Sequence, residues 1–348
     1  MSRITIADIA RDAGVSTGAV SYALNGRPGV SESTRRRILT IAENLGWEPS
    51  QAARALTGAG AEAVGLILAR SPETLGFESF YMQFIAGIEQ VLTVRSFALL
   101  LQVVPDLNAE MLTYRRWRAA GRVDGVVVVD PRENDPRLSM LTASDALPAV
   151  VVGNPELAPD VTTVWTDDAA AVRESVRYLF TLGHRTIARV SGVASYGHVH
   201  IRDVAFHDEV AARGGQSIIS RADFTPEQGA AATRTLLTAE EPPTAILFDN
   251  DVMALTGLSV AHELGLRVPQ DVSIIAWDDS PLCKAAFPQL TALSHDVTAY
   301  GAHVARRLFE RIGGAAAESF VDATPVLRVR GSTGPAPRMT PVPFPPKH

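Results

Sequence analysis

The chain has 348 residues, 46% of them hydrophobic, enough apolar material for two or three domains with large cores. Its formal net charge of −6 is unevenly spread: residues 1–58 hold seven Arg against five Asp and Glu, a net +2, which leaves −8 for the remainder. An acidic body is not drawn to nucleic acid by charge, and the single cysteine, Cys283, excludes an intramolecular disulfide and a cysteine zinc site. The N-terminus shows no basic and apolar signal sequence, and no run approaches the roughly 18 apolar residues of a membrane span, so a cytoplasmic protein is expected. The spacing predicts a helix over 6–13, opened by a capping box of Thr5 and Asp8 and stopped by Gly14. Ser16 is placed to cap a second helix over 17–24, and Ser31 a third. Ile6, Ile9, Ala10 and Ala13 form one apolar stripe, Val15, Val20 and Leu24 another, and Ile38, Ile41, Ala42 and Leu45 a third. Two short helices across a tight glycine turn make a helix-turn-helix, whose second helix enters the DNA major groove. Its outer face carries Thr17, Gly18, Ser21 and Tyr22. Because the segment's charge is modest, neutral donors and helix N-termini must make many of the phosphate contacts.

Pro49 closes this headpiece, and the segment to Thr57 is long enough for about two helical turns, marginal in isolation. From Val64 onward, short all-apolar runs (64–68, 97–104, 123–129, 148–152) alternate with helical stretches (80–94, 111–120). The pattern resumes with helices over 167–182, 202–213, 226–237 and 252–264, and strands over 186–190, 217–219, 245–248 and 273–277. Such alternation implies parallel sheets with helices on both faces. The expected fold class is therefore α/β: a three-helix helix-turn-helix headpiece, then two doubly wound units facing each other across a cleft, where small ligands bind. The expected divisions are a headpiece over 1–48, a hinge over 49–60 and a ligand-binding and dimerisation body over 61–334. Lobe one takes 61–163 and 291–334, lobe two 164–290, with a return segment near 290–296. A Pro-rich tail over 335–348 has no leucine heptad and is expected to be disordered.

The run Thr5-Ile-Ala-Asp-Ile-Ala-Arg-Asp-Ala-Gly-Val-Ser16, followed by Val20-Ser21, Leu24-Asn25 and Val30-Ser31-Glu-Ser-Thr-Arg-Arg36, resembles the headpiece of the LacI/GalR family. The similarity continues along nearly the whole chain. It implies a ligand-responsive transcription regulator, a repressor, acting as a homodimer on a pseudo-palindromic operator in double-stranded DNA. By this resemblance Thr17, Gly18, Tyr22 and Ile6 face bases, and Thr5, Ser16, Ser21, Asn25, Ser31 and Thr34 hold phosphates; Arg27 and Arg54 are further candidates. Tyr22 stands where the family commonly has arginine, and Gly18 has no side chain, so neither makes a bidentate contact to guanine. In the hinge the resemblance assigns Ala53 and Leu56 to the minor groove, Leu56 as a wedge that opens a base step and bends the duplex.

The family's ligand pocket, a sugar or glycoside site, maps onto Arg202, Phe224, Asn250 and Asp278, with Phe80 or Tyr81 covering the ligand from the other lobe. A guanidinium at Arg202 binds two hydroxyls or a carboxylate, Asp278 accepts from hydroxyls, and Asn250 donates and accepts at once. Three of these positions have a plainer reading as well: Arg202 as a surface residue opening a helix, Asn250 as a helix cap, Phe224 as core. Trp277 and Ala276 depart from the family's Gly-aromatic pair before Asp278, and Asp279 could share its role. His198 and His200, expected to flank a loop by the cleft, are too few for a metal site. No cofactor is expected. The chain lacks a nucleophile elbow, a phosphate-cradling loop and metal-spaced ligands, which argues against an enzyme. A transporter's solute-binding protein would explain the body but not the headpiece.

Overall fold

The computed structural model describes residues 4–47, 60–70 and 79–337. The chain divides into two units, Met1–Ala61 and Glu62–His348. The hinge positions Ala53 and Leu56 lie outside the described residues.

In the first unit, α1 (Ile6–Ala13), α2 (Thr17–Leu24) and α3 (Glu32–Asn44) form where the capping residues place them. The Thr5 amide and hydroxyl both donate to Asp8 Oδ2, at 2.9 and 2.7 Å, and these bonds bring the exposed Asp8 carboxyl down to about 2. Gly14 adopts φ 64°, the left-handed C-cap that reverses the chain toward α2. Ser16 Oγ then accepts from the Ala19 amide at 3.2 Å, and Ser31 Oγ from the Thr34 amide at 3.3 Å. Ile9, Ala10, Ala13, Val20, Ala23, Ile38 and Ala42 meet as one small core, with Ile6, Leu24, Ile41 and Leu45 against its edge.

The second unit holds two six-stranded sheets. The first has the order β11-β5-β4-β3-β1-β2, built from β1 (Ala63–Ala69), β2 (Ala98–Val104), β3 (Gly125–Val128), β4 (Ala149–Val152), β5 (Thr162–Trp165) and β11 (Ser319–Val321), all parallel. Its helices are α4 (Ser79–Val94), α5 (Leu107–Ala119), the short α6 (Arg137–Leu141) and α12 (Val297–Ile312). Helices α4 and α12 cross with their backbones touching. A Cβ on Gly87 would lie 1.9 Å from the Thr298 carbonyl oxygen, and one on Gly301 2.1 Å from that of Phe84. Only glycine fits at either position.

The second sheet has the order β12-β10-β9-β8-β6-β7. It comprises β6 (Thr186–Ser191), β7 (Gln216–Arg221), β8 (Ala245–Phe248), β9 (Ser273–Trp277), β10 (Thr291–Ser294) and β12 (Val326–Arg328), with only β12 antiparallel. Helices α7 (Asp168–Thr181), α8 (Gly197–Ala212), α9 (Pro226–Leu237), α10 (Asp251–Glu263) and α11 (Pro281–Ala285) cover it. Among the described residues no helix is long and apolar enough to cross a membrane.

Three sequence expectations change. The return segment near 290–296 is mostly β10, paired in the second sheet, and the chain crosses back only after it. The end of the body also belongs to the second lobe, not the first: Ser332 Oγ donates to the Ile274 carbonyl at 2.6 Å, and Thr333 Oγ1 lies 2.8 Å from Thr291 Oγ1. Strands of three residues carry too little periodicity to announce themselves, so β11 and β12 were not legible. Finally, α8 begins at Gly197, which puts His198 and His200 in its first turn and Arg202 in its second. Of the tail, 335–337 is described, and there the Ala336 amide donates to the Leu182 carbonyl at 2.8 Å; 338–348 lies outside the described residues.

The chain passes between lobes after β5, after β10 and after β11. These crossings bring the carboxyl ends of both sheets face to face.

Candidate functional site

A cavity of about 160 Å³ lies between those strand ends. Its wall includes residues within three positions of the end of five apolar strands: Arg70 after β1, Asp130 after β3, Asp168 after β5, Asp249 after β8 and Asp278 after β9. This is the position at which open α/β sheets bind ligands. All six ligand candidates from the sequence, Phe80, Tyr81, Arg202, Phe224, Asn250 and Asp278, line it. Asp130, Phe224 and Asp278 have φ of 50°, 72° and 65°, a strained conformation for residues with side chains that the surrounding structure must hold.

The side chains are more constrained than the sequence implied. Arg202 is nearly buried, its Nε donating to Asp168 at 2.8 Å and its Nη1 to Asp249 at 3.0 Å, with the guanidinium 3.5 Å over the Trp277 ring. It is a fixed, charge-matched donor rather than a surface arginine. Behind it the chain of charge continues: Arg189 donates to Asp249 at 2.5 Å and to Asp203 at 2.9 Å, and Arg221 pairs with Asp203. Burial penalises the Asp249 carboxylate, but Arg189, Arg202 and the Gly192 amide outweigh it and hold its carboxyl far below the usual range. Asn250 does cap α10, accepting from the Met253 amide at 2.8 Å, and donates to the Phe224 carbonyl at 2.9 Å. It therefore anchors the loop that carries Phe224. The Phe224 ring stacks near Tyr196, 6.3 Å between centroids, and fills the space above Gly192, where a Cβ would approach it to 2.1 Å.

Of the facing cluster the sequence named Tyr81 and His198 but not Arg70, Asp130 or Tyr196. Tyr81 donates to Asp130 at 2.9 Å and accepts from Arg70, which itself pairs with Asp130 at 2.9 Å. The Arg70 guanidinium sits 5.2, 4.9 and 5.4 Å from the ring centres of Tyr81, Tyr196 and Phe224, so one cation joins aromatics of both lobes. Burial and the nearby Arg202 charge push His198 down to about 4, leaving a neutral imidazole 3.9 Å from Asp130. The signal for Arg70 and Asp130 was their place just after the apolar strands β1 and β3.

In the first unit, Thr17, Gly18 and Tyr22 are exposed, Tyr22 45% so, and Ser21 and Ile6 are half-buried. The Tyr22 ring lies against Gly29, whose Cβ would come within 3.2 Å of it. Thr5, Ser16, Asn25 and Ser31 are exposed and Thr34 half-buried, grouped at the N-termini of the three helices and the C-cap of α2. Asn25 is partly committed locally, donating to the Ser21 carbonyl at 2.8 Å.

Residues 5–50 match the family model for bacterial regulatory proteins of the lacI family, and 176–333 that of a periplasmic binding protein-like domain. The transcriptional regulator AglR of Rhizobium meliloti (strain 1021) is 32% identical over 98% of this chain and 98% of its own length. The crystal structure of a LacI family regulator from Bifidobacterium animalis subsp. lactis DSM 10140 is 36% identical, covering 80% of this chain and 99% of its own, with a TM-score of 0.73. The structure of a CelR–cellobiose complex is 29% identical over 95% of this chain and 100% of its own, with a TM-score of 0.72. The chain belongs to the LacI family and is a DNA-binding transcriptional regulator, not an enzyme.

Proposed function

We propose that this regulator is a cytoplasmic, nucleoid-associated repressor that binds a pseudo-palindromic operator as a homodimer and whose occupancy is set by a small sugar-like effector held in the interlobe cavity. The observation that carries the reading is the convergence of residues from both lobes, Arg202, Asn250, Phe224 and Asp278 from one and Phe80 and Tyr81 from the other, on one cavity at the strand ends. A ligand touching both lobes favours one interlobe arrangement, which is the requirement for a coupling free energy between two sites. The cellobiose complex of CelR supports a carbohydrate as the ligand type. Residues 1–48 serve as the DNA-reading part, with Thr17, Gly18, Tyr22 and Ile6 toward bases and Thr5, Ser16, Ser21, Asn25, Ser31 and Thr34 toward phosphates. The minor-groove roles of Ala53 and Leu56 carry over from the family resemblance alone.

The test is fluorescence anisotropy of the full chain on DNA from upstream of its own gene, over several salt concentrations, with a panel of mono- and disaccharides. Sequence-selective binding that one sugar releases supports induction, and binding that a sugar tightens supports corepression. Affinity that depends on salt alone, equal for all sequences, would refute operator reading by α2.

A further inference from the structure

We infer that Asp322 is a positioning residue of the effector site: it fixes the His295 imidazole so that Nδ1 stands at the cavity as an acceptor for a hydroxyl of the effector. The inference rests on the cavity being the effector site. Asp322 is the first residue after β11, His295 the first after β10 and Trp165 the last of β5, so all three lie where the chain passes between lobes. Asp322 joins the three passages. Its amide donates to the Trp165 carbonyl at 2.7 Å, and its Oδ1 lies 3.3 Å from His295 Nε2. Trp165 and His295 line the cavity, and Asp322 is not on its wall.

The hydrogen bonds decide where the protons sit. A carboxylate only accepts, so the His295 nitrogen facing it, Nε2, is the donor. In an imidazole carrying one proton, Nδ1 is then a bare acceptor. It has no hydrogen-bond partner among the described residues. The ring itself is held, packed edge-on to Tyr300 with 5.0 Å between ring centres, and the Tyr300 hydroxyl donates to the Val164 carbonyl at 3.0 Å. Burial works against the Asp322 carboxylate, but His303, the Ala323 amide and His295 outweigh it and hold the carboxyl below its usual range. His303 Nδ1 lies 2.5 Å from Oδ2, and the Ala323 amide donates to Oδ1 at 2.7 Å. On the far side of His303, Nε2 accepts from Arg307 Nε at 3.1 Å. The Arg307 guanidinium is itself held, 3.8 Å over the Phe320 ring and paired with Glu310. A guanidinium has no acceptor, so the His303 proton sits on Nδ1, toward Asp322. Each bond from Arg307 to His295 therefore has one direction, and the chain ends on a lone pair at the cavity. A hydroxyl that donates satisfies it, whereas an ether or a fluorine in the same place sets two acceptors against each other.

Long-range proton–nitrogen NMR of the full chain with isotope-labelled histidine at pH 7 reads the tautomer, and His295→Gln identifies the resonance. The expected result is a His295 ring protonated at Nε2 and bare at Nδ1, which becomes a mixture of tautomers in Asp322→Ala. A native ring protonated at Nδ1, or a tautomer unchanged in Asp322→Ala, overturns the inference; the native spectrum decides the first point without any variant. Isothermal titration with glucose, galactose, maltose and cellobiose, and with the monodeoxyfluoro derivatives of those that bind, reads the contact. One fluoro derivative is expected to bind roughly tenfold weaker than its parent, because fluorine cannot donate. His295→Leu erases that difference, and His295→Gln, whose amide donates to Asp322 and accepts at the cavity, keeps it. Parent and fluoro sugars discriminated by His295→Leu as by the native chain overturn the inference and leave the cavity as an effector site. Absence of binding by these sugars and by the saccharide panel above overturns both.

Discussion

Asp249 is the point on which the second lobe's buried charges turn. Its carboxylate accepts from Arg189 Nη2 at 2.5 Å, Arg202 Nη1 at 3.0 Å and the Gly192 amide at 2.8 Å, with Asp249 itself 2% exposed. Asp249→Asn keeps the shape but removes the charge and turns an amide NH₂ toward one of these donors. Arg189 and Arg202 retain Asp203 and Asp168, so neither is stripped bare. Removing one member of a buried ion pair costs about 3–5 kcal/mol. At roughly 2–4 °C per kcal/mol in a large domain, the melting temperature of the body falls by about 6–20 °C. The carboxyl is held below its ordinary value, so its contribution is present in full above the unfolded value of about 3.9 and is lost only as pH falls further. Urea unfolding at pH 7 therefore reads the whole effect. Calorimetric titration of the effector should show weaker binding too, because Arg202 loses one of the two carboxylates that fix its plane over Trp277. A loss of stability under about 1 kcal/mol would show that the network does not depend on its centre, and the assignment of Arg202 as a preorganised donor would fall with it.

His198 is depressed to about 4, so the native state binds fewer protons than the unfolded chain between that value and about 6.5. Stability should fall by up to about 3 kcal/mol as pH drops through that window, and His198→Gln should flatten the slope measured by urea titrations at several pH values. Gly192→Ala drives a methyl to 2.1 Å from the Phe224 ring and should cost about 1–3 kcal/mol, most of it recovered in the double variant with Phe224→Leu. In operator binding, Tyr22→Ala should cost about 1–3 kcal/mol at one base pair per half-site and leave the salt slope unchanged, whereas Ser31→Ala should weaken all DNA sequences alike. Anisotropy on single-substitution operators separates the two patterns.

The headpiece was legible because its signals are local. Thr5 with Asp8, Gly14, Ser16 and Ser31 each specify a boundary through bonds to residues three positions away or through a left-handed turn. The apolar strands of the body were legible for the same reason, since burial on both faces leaves continuous runs such as Val126, Val127 and Val128. What escaped depends on distant partners. Residues of β10 look like a connection until they pair with β9, and β12 exists only as an edge beside β10. The α12 helix was missed although Val297, Tyr300, Val304 and Leu308 keep a helical spacing, because the chain was read there as a return to lobe one rather than as an element. In the cavity, the resemblance supplied Arg202, Asn250 and Asp278 but not the groups that fix them. Arg70, Asp168 and Asp249 are separated from their partners by 34 residues or more, with one at 11, so no spacing rule could pair them.

That arrangement bears on how a ligand could act. Several side chains on the wall, Arg70, Tyr81, Asp130, Asp168, Arg202 and Asp249, are already engaged with one another. A ligand's leverage lies in residues that meet across the gap. Arg70 donates to Tyr81 and Asp130 of its own lobe and reaches Tyr196 at 3.4 Å on the other, and the Gly197 amide donates to the Pro131 carbonyl at 2.8 Å. Three crossing segments also contribute to the wall: Trp165 to Asp168, His295, and Pro325. A ligand bound there contacts the segments about which the lobes would rotate, together with the cation that ties them. On the proposed reading, binding energy spent at that position would change the angle between lobes rather than the shape of either. A differential affinity of about 1–3 kcal/mol between two such angles is enough to alter DNA occupancy several-fold to a hundredfold. The buried networks on each side then serve to keep the lobes rigid, so that the change is transmitted and not absorbed.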